Sequence, residues 1–297
     1  AAIMVVLRPY KRALKSVGLE SGTKSLWLYR GLLKAKSPVL CLDARHAHSA
    51  LSAGLNKTDR NDALGLAQLL VRGIYREAYV KSDDAQRIKT LLALRRSVLR
   101  KTTDLRLMVR MTRKIYGTDI CDVASEDSDT DAEQQLQLAW QGVDGAIAAM
   151  KAEMGEFDRM VKELADGSTL CRRLMTVPGV GPITALIFTS AIDDPTRFDT
   201  SRDVAAYFGL TPRVFRSGMS MRSGGISLAG DESVRGALCH AAHILLAKSR
   251  STCRLRQWGL RLKAKKGRKI AYVACARKLA VLLHHLWITG EEFDPAR

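Results

Sequence analysis

The N-terminal part of the chain alternates between short apolar runs and segments with helical spacing. Residues 13–20 form a short strand-like segment that ends at Glu20, and the polar Ser-Gly that follows predicts the start of a helix over residues 23–33. Residues 37–43, SPVLCLD, are a compact apolar run that is typical of a strand buried on both faces. The pattern therefore predicts strands that alternate with helices.

The same alternation continues to residue 82. A loop is predicted over residues 47–57, and the sequence TDRND at 58–62 then opens a strongly apolar helix over residues 63–71. Because strand, helix, strand and helix in succession indicate a sheet layered with helices, residues 1–82 are predicted to form one α/β domain.

A long amphipathic helix is predicted from Asp83 to about Tyr116. Arg and Lys fill the positions between its apolar residues, and residues 134–164 supply an antiparallel partner beyond an acidic loop at 121–133. We expect residues 83–167 to form a coiled stalk. The apolar residues of the first helix are Ile88, Leu91, Leu92, Leu94, Val98, Leu99, Leu105, Leu107 and Val109.

A mostly helical domain is predicted over residues 168–297. Gly-rich segments interrupt its helices, and its last amphipathic helix is predicted over residues 271–286. The predicted fold class is thus α/β in the N-terminal domain and all-α in the stalk and the C-terminal domain.

The charge of the chain indicates an acidic partner. Its 297 residues carry 48 Lys and Arg against 30 Asp and Glu, a formal net charge of +18. Residues 1–118 and 169–297 contribute +16 and +12, whereas residues 119–168 contribute −10. Two basic regions beside an acidic connector predict two nucleic-acid-binding units. The alternative is a soluble protein with an incidental excess of Lys.

Cysteine usage and hydropathy exclude several other classes. The six cysteines lie far apart without a C-x-x-C pair, which favours a reducing cytoplasm over a disulfide framework or a zinc site. No apolar run approaches the roughly 18 residues that a membrane-spanning helix needs, so a membrane protein is excluded.

The segment LMTVPGVGPITAL at 174–186 predicts two helices joined by a tight turn. Gly179 and Gly181 allow the backbone to approach a ligand closely, and amides at the start of the second helix suit a phosphate oxygen. The segment is similar to a helix-hairpin-helix, which binds the DNA backbone without reading its sequence. The alternative is an ordinary turn between packed helices.

Three carboxylates are candidates for a metal site. Asp59 and Asp62 lie three residues apart at a predicted helix start, so both can face one side, and Glu20 ends a predicted strand. Hard cations such as Mg²⁺ take carboxylate oxygens and leave positions open for phosphate. Helix capping with a solvated acid is the alternative for the two aspartates.

The segment FRSGMSMRSGGISLAGD at 215–231 is predicted to be a loop in which four serines lie among glycines and arginines. A serine hydroxyl is a weak nucleophile unless cations and a base stabilise its alkoxide. The guanidinium groups of Arg213, Arg216 and Arg222 suit a phosphoryl transition state. The alternative is a flexible loop that contacts phosphate without a covalent role.

Together these motifs resemble the DEDD-type insertion-sequence transposases of the IS110 family. The resemblance runs from about residue 20 to the C-terminus, and the order and spacing of the motifs match along nearly the whole chain. The motifs are LDARHAHSAL (42–51), NKTDRNDALGLAQ (56–68), VPGVGPITA (177–185), FGLTPR (208–213), RSG (216–218) and ARKLAVLLH (276–284).

The resemblance implies a DNA recombinase. It implies an N-terminal domain with a ribonuclease-H-like fold, similar to the RuvC junction resolvase, in which four acids bind Mg²⁺; Glu20, Asp59 and Asp62 match the second, third and fourth acids. It implies a serine that attacks DNA covalently, matched best by Ser217, with Ser227 as the rival. It also implies double-stranded DNA as the substrate, an element-encoded bridge RNA, a homo-oligomer organised as a dimer of dimers, and a nucleoid-associated location in the bacterial cytoplasm.

Two departures from the family pattern lead to a further expectation. No Asp or Glu precedes Glu20, so the segment with the first acid is expected to be missing. In addition, Leu228 and Ala229 follow Ser227 where the family has Lys. A truncated or decayed copy, inactive or weak, is therefore expected. The competing functions are a nucleic-acid-binding remnant without catalysis and a nuclease that uses metal-activated water and does not need Ser217.

Overall fold

The computed structural model describes residues 2–52, 58–117, 131–217 and 220–296, and the chain divides into two compact units, residues 1–81 and residues 82–297. The described residues are mostly helical and include two small sheets of two strands each. Asn56, Lys57 and the acidic loop as far as residue 130 lie outside the description. The three-part division predicted from the sequence, with its stalk at 83–167, stays a prediction.

The first unit is a small sheet with helices on its two faces. Strands β1 (Val17–Glu20) and β2 (Val39–Leu42) pair in parallel, and Glu20 at the end of β1 is opposite Leu42 at the end of β2. Three of the four β2 residues are buried, as its apolar run predicts. The elements are α1 (Ala2–Leu7), β1 (Val17–Glu20), α2 (Ser25–Lys34), β2 (Val39–Leu42), α3 (Ala44–Leu51) and α4 (Asp59–Arg72).

Two contacts assign the helices to opposite faces. The Ser25 hydroxyl at the start of α2 hydrogen-bonds the Cys41 thiol on one face of the sheet. On the other face a Cβ atom at Gly18 would lie 2.5 Å from Leu70 of α4, so α4 packs directly on β1 there. The predicted alternation of strands and helices is thus confirmed as an α/β layer.

The loop predicted over residues 47–57 is wrong for residues 47–51, which belong to α3. The Asp43 carboxylate accepts a hydrogen bond from the His46 amide at 3.0 Å and so caps the start of this helix. At its end, Leu51 packs against Gly65 of α4. Residues 53–57 lie outside the description.

The second unit begins with two long antiparallel helices, α5 (Asp83–Ile115) and α6 (Asp131–Gly167). The Arg95 guanidinium lies 2.6 Å from the Asp158 carboxylate, and the Trp140 Nε1 atom donates to the Thr112 hydroxyl at 3.0 Å. Early residues of α5 therefore meet late residues of α6, which confirms the predicted antiparallel pair.

A helical core fills the rest of the second unit. Its elements are α7 (Thr169–Met175), α8 (Pro182–Ile192), α9 (Ser201–Tyr207), β3 (Pro212–Ser217), β4 (Ser220–Ile226), α10 (Glu232–Ala247), α11 (Arg254–Lys266) and α12 (Arg268–Thr289). Helix α8 is apolar on all sides and buried, because α5, α6, α7 and α10 all pack against it. Helix α12 packs against α9, α10 and α11.

The serine-rich segment predicted as a loop at 215–231 instead belongs, over residues 215–217 and 220–226, to two antiparallel strands of a hairpin. Strand β3 pairs with β4 from Pro212 opposite Ile226 to Ser217 opposite Ser220. Gly and Ser have low strand propensity, so the segment carries no local strand pattern, and the cross-strand pairing itself stabilises the hairpin. None of the described helices is long and apolar enough to cross a bilayer.

Candidate active site and nucleic-acid interface

Glu20 lies on the sheet face that α4 covers. Side chains two residues apart on a strand project from the same face, so Glu20 shares its face with Gly18. Since Leu70 of α4 packs over Gly18, the exposed Glu20 side chain and helix α4 lie on the same side of the sheet.

Asp59 and Asp62 occupy the first turn of α4. The hydroxyl of Thr58 accepts a hydrogen bond from the amide of Asn61 at 3.2 Å and caps the helix, so the two carboxylates lie one turn apart at a helix N-terminus. The partial positive charge of that terminus favours carboxylates. Asp59 is exposed and Asp62 is half-buried.

The structure adds two carboxylates near the sheet that the motif analysis did not single out. Asp43 follows β2 directly, and Glu77 forms an isolated antiparallel bridge with Leu42. The position of Asp43 directly after an apolar run could have indicated this residue in the sequence. The pairing of Glu77 with Leu42 could not be predicted in this way, because the two residues are 35 positions apart.

Whether these carboxylates can bind a metal ion depends on how many of them lie close together. Among the described residues, no group of three or more His, Cys, Asp or Glu side chains is arranged to hold a metal ion. The structure therefore brings Asp59 and Asp62 to one helix turn, with Glu20 on the same side of the sheet, but it does not join all three. Mg²⁺ commonly binds proteins through one or two carboxylates and takes its other ligands from waters and phosphates, so the pair fits its donor chemistry.

The two glycines of the VPGVG turn have different surroundings. Gly179 has φ +93°, and a Cβ atom there would lie 2.4 Å from the carbonyl oxygen of Ala241 in α10. Gly179 is thus required for packing between helices. Gly181 caps the N-terminus of α8, and a Cβ atom there would have no neighbour within 4 Å among the described atoms. Its open surroundings leave room for a phosphate group.

The two candidate serines lie at opposite ends of the hairpin. Ser217 is the last residue of β3, at the hairpin tip. Ser227 follows β4 at the base, where its amide donates to the carbonyl of Thr211 at 2.9 Å and its hydroxyl accepts from the amide of Ala229 at 3.5 Å. The Ser227 hydroxyl is therefore engaged with its local backbone.

The described arginines of the hairpin lie on its exposed surface. Arg222 is opposite Phe215 in the strand register. Arg213 donates from Nη2 to the carbonyl of Ser227 at 3.2 Å, which ties its guanidinium to the hairpin base. The side chain of Arg216 lies outside the description.

A residue that the sequence did not indicate anchors the base of the hairpin. Arg235 of α10 donates from one nitrogen, Nη1, toward the carbonyls of Phe208, Ala229 and Gly230, the shortest contact being 2.6 Å to Ala229. The segments before β3 and after β4 come so close that a Cβ atom on Gly209 would lie 2.3 Å from the Ala229 carbonyl oxygen. No local sequence motif indicates this role of Arg235, because the carbonyl groups that it contacts lie up to 27 residues away along the chain.

A second basic surface lies where α11 meets α12. Gly267, with φ +83°, joins the two helices, and exposed cations lie on both sides of it. These residues, which the KAKKGRK run makes visible in the sequence, are Lys265, Lys266, Arg268 and Lys269.

Comparison with known proteins assigns the class. A family model described as a transposase, the DEDD type of IS110, matches residues 10–113, and one described as the transposase IS116/IS110/IS902 family matches residues 171–256. The first match contains Glu20, Asp59 and Asp62, and the second contains the VPGVG turn and the hairpin. The chain is therefore an insertion-sequence transposase in class.

Individual relatives agree with this class. The chain is 28% identical over 280 residues to the transposase for insertion sequence element IS1111A of Coxiella burnetii, covering 89% of this chain and 75% of that protein. It is 30% identical over 254 residues to the y4pF/y4sB protein of Sinorhizobium fredii, covering 81% of this chain and 65% of that protein. A transposase for element IS1328 of Yersinia enterocolitica is 31% identical over 144 residues, 48% of this chain and 43% of that protein.

The family follows from the two domain matches. This chain carries the transposase domains of the IS110/IS116 family, as its motifs predicted. It spans about three quarters of the Coxiella relative and just under two thirds of the Sinorhizobium relative.

Proposed function

We propose that this chain cuts and rejoins DNA strands during the movement of an insertion sequence. The observation that carries the proposal is that each transposase match contains a set of groups suited to phosphodiester chemistry. These are the carboxylates beside β1 and α4 in the first match and the serine- and arginine-bearing hairpin in the second.

Glu20, Asp59 and Asp62 are the proposed ligands of a divalent cation, Mg²⁺ in the cell, in a domain of RuvC-like, ribonuclease-H-like fold. Support comes from the carboxylate pair in the first turn of α4 and from the position of Glu20 on the side of the sheet that α4 covers. A bound cation would neutralise phosphate charge. The carboxylates themselves would fix the position of the cation. Their negative charge would outweigh the repulsion between the cation and the positive end of the helix.

Ser217 is the proposed nucleophile. Its hydroxyl would lose a proton and form an ester bond to phosphorus, while the bond from phosphorus to one strand end breaks and that end leaves as a hydroxyl. Attack by a strand-end hydroxyl on the phosphoserine reverses these steps and rejoins DNA. Arg222 would stabilise the negative charge on the phosphoryl oxygens, and Arg213, held at the hairpin base, would pair with a neighbouring phosphate of the strand.

Double-stranded DNA is the proposed substrate, with a bridge RNA as guide and a homo-oligomer as the working form. The open surroundings of Gly181 at the start of α8 support a contact to a phosphate group. The exposed cations around Gly267 and the net charge of +18 support binding of further phosphates.

The experiment incubates the chain with plasmid DNA bearing the element ends, with and without Mg²⁺, and stops the reaction with detergent to trap protein bound covalently to DNA. The low activity expected from the departures from the family pattern stays a prediction, so we expect a weak metal-dependent adduct in the wild type. We expect none in the Asp59→Asn, Asp62→Asn or Ser217→Ala variants. The matched control is Ser220→Ala, which removes the hydroxyl opposite Ser217 in the hairpin and should leave the adduct in place.

Three other outcomes contradict parts of this proposal. An adduct that survives in Ser217→Ala and disappears in Ser227→Ala would transfer the nucleophile role to Ser227. Metal-dependent cleavage without any adduct would indicate hydrolysis by water. Salt-sensitive binding with neither cleavage nor adduct would indicate a nucleic-acid-binding protein without catalysis.

A further inference from the structure

We propose that Phe215, placed between Arg213 and Arg222 on one face of the hairpin, stacks on an unpaired base of the DNA strand beside the cleaved phosphodiester. This inference rests on the proposed function and specifies the state of its substrate. The strand would have to be locally melted or single, because the face of a base is accessible to a side chain only outside the duplex stack.

The aromatic ring lies on a surface of the hairpin that is open to solvent. Val214 and Phe215, neighbours on β3 that project from opposite faces, are 61% and 60% exposed. Both faces of the two-stranded ribbon are therefore accessible. The large aromatic side chains of the core, Phe188 and Phe208, are fully buried instead.

The neighbours of Phe215 form a shallow platform. Arg222 is directly opposite Phe215 in the register of the two strands. A Cβ atom on Gly224 would lie 3.4 Å from Cε2 of Phe215 and 3.8 Å from Cβ of Arg213, so the ring and Arg213 share the face of the hairpin on which Gly224 contributes no side chain. The ring thus has Arg213 two residues before it on the same strand, Arg222 across from it on β4, and Gly224, which has no side chain, beside it.

This composition suits one ligand chemistry. An exposed aromatic ring stacks on a nucleobase of any identity, and flanking guanidinium groups pair with the phosphates on either side of that base. Arg213 is already held in place by its hydrogen bond to the Ser227 carbonyl, so ordering it costs little side-chain freedom on binding.

The spacing along β3 connects the platform to the chemistry. Ser217 lies two residues beyond Phe215 on the same strand and the same face of the hairpin, a separation of about 6.6 Å. A base held on Phe215 would therefore belong to a nucleotide close to the phosphodiester that Ser217 attacks.

The test measures DNA binding alone, without metal, by fluorescence anisotropy. The three labelled probes are a single strand of 20 nucleotides, the same strand with abasic positions, and the corresponding duplex. Phe215→Ala should weaken binding of the intact single strand by roughly tenfold, within the range of about 5- to 150-fold for loss of one stacked base. Duplex binding should change by less than about threefold. Phe215→Trp should bind the single strand as tightly as the wild type.

The matched control is Val214→Ala, which removes an equally exposed apolar side chain from the other face of the same strand. It should bind all three probes like the wild type. Removing bases from the probe should weaken the wild type to the affinity of Phe215→Ala and should leave the affinity of Phe215→Ala unchanged.

The inference is overturned if the wild type binds intact and abasic strands equally. It is also overturned if Phe215→Ala changes the sedimentation of the protein rather than its affinity for DNA, because the ring would then serve contact between protein molecules. A wild-type protein that forms the covalent adduct but shows no dependence on bases would refute this inference alone. Base-dependent binding without any covalent adduct would refute the proposed strand-cleavage chemistry and would still support the stacking of a base on Phe215.

Discussion

His284 shows how a polar side chain becomes part of the core. It is 1% exposed, its Nε2 atom donates to the carbonyl of Pro195 at 3.0 Å, and its Nδ1 atom lies 3.0 Å from the Ser201 hydroxyl. Since the carbonyl can only accept, Nε2 carries a proton, and the Nδ1 atom and the Ser201 hydroxyl share the second hydrogen bond. His284 ends the family-like motif ARKLAVLLH, and its contacts give it a structural role.

The His284→Ala variant should therefore be less stable than the wild type by about 2–4 kcal/mol, because it leaves a cavity and an unpaired carbonyl. The measurement is urea unfolding followed by circular dichroism. His285→Ala, at the half-exposed neighbouring position, is the control and should change stability by less than about 0.5 kcal/mol. Equal losses in the two variants would contradict this role.

Cys275 links stability to pH. It is 0% exposed, and burial raises the pKa of its thiol from 9.0 to about 11. Because the unfolded chain releases this proton first, the stabilising effect is full below pH 9 and declines as pH rises toward 11. Between pH 8 and pH 10 the wild type should lose about 1 kcal/mol more of its free energy of unfolding than Cys275→Ala does. Parallel losses in urea titrations at the two pH values would count against a buried neutral thiol.

At the scale of elements, the turn between α7 and α8 combines a structural glycine with an accessible one. Gly179 packs on α10 and has a positive φ, whereas a Cβ atom on Gly181, at the start of α8, would have no neighbour within 4 Å in the part of the chain that the structure describes. The same five residues, VPGVG, thus serve core packing and, as proposed, contact with phosphate.

Substituting the two glycines separates these roles. Gly179→Ala should cost about 2 kcal/mol or more, because its Cβ would strain the backbone and collide with a carbonyl oxygen. Gly181→Ala should change stability by less than about 1 kcal/mol yet weaken DNA binding, because a methyl group would occupy the space proposed for phosphate. Thermal unfolding and a filter-binding assay measure the two effects. Unchanged DNA affinity in Gly181→Ala would contradict the phosphate contact.

At the scale of the whole molecule, the charges are distributed unevenly between elements. Helix α5 carries a strong excess of basic residues, and its partner α6 an excess of acidic ones, so the helix pair neutralises part of its own charge through contacts such as Arg95 with Asp158. The cations around Gly267 have no acidic neighbours in sequence and remain exposed. DNA binding should depend on these more than on the paired charges.

Replacing Lys265, Lys266, Arg268 and Lys269 with Gln should reduce the slope of log affinity against log salt by up to about 3–4, since each phosphate contact contributes about 0.9. The control is Arg159→Gln, because Arg159 is paired with Glu156 at 2.6 Å and with Glu163 at 3.0 Å on α6. That variant should keep the wild-type slope. Titrations from 50 to 200 mM salt decide between the outcomes.

Long elements with regular spacing could be predicted from the sequence. The pattern predicted α5 from Asp83, and the structure shows Ser82 capping that helix by accepting from the amide of Ala85. Short elements without a periodic pattern could not be predicted. Helix α3 depends on the Asp43 cap and on Leu51 packing against Gly65, and the hairpin depends on pairing between strands rich in Gly and Ser.

The candidate site shows the same division. The motifs placed Asp59 and Asp62 in one helix turn, because residues three apart on a helix are neighbours whatever the tertiary structure. The sequence alone could not show that Glu20 shares a sheet face with α4, or that Arg235 holds the hairpin base. Both depend on contacts between segments that are distant along the chain.

By itself, the sequence determined the basic and acidic segments, the long helices and the transposase family, because charge, helical period and motif spacing are properties of neighbouring residues. Only the tertiary structure decided which glycine serves packing, which serine ends strand β3, and which aromatic ring of the hairpin remains on the surface. The packing of the turn before α8 on helix α10 and the pairing of β3 with β4 set these features, and both join residues that are not neighbours in the sequence.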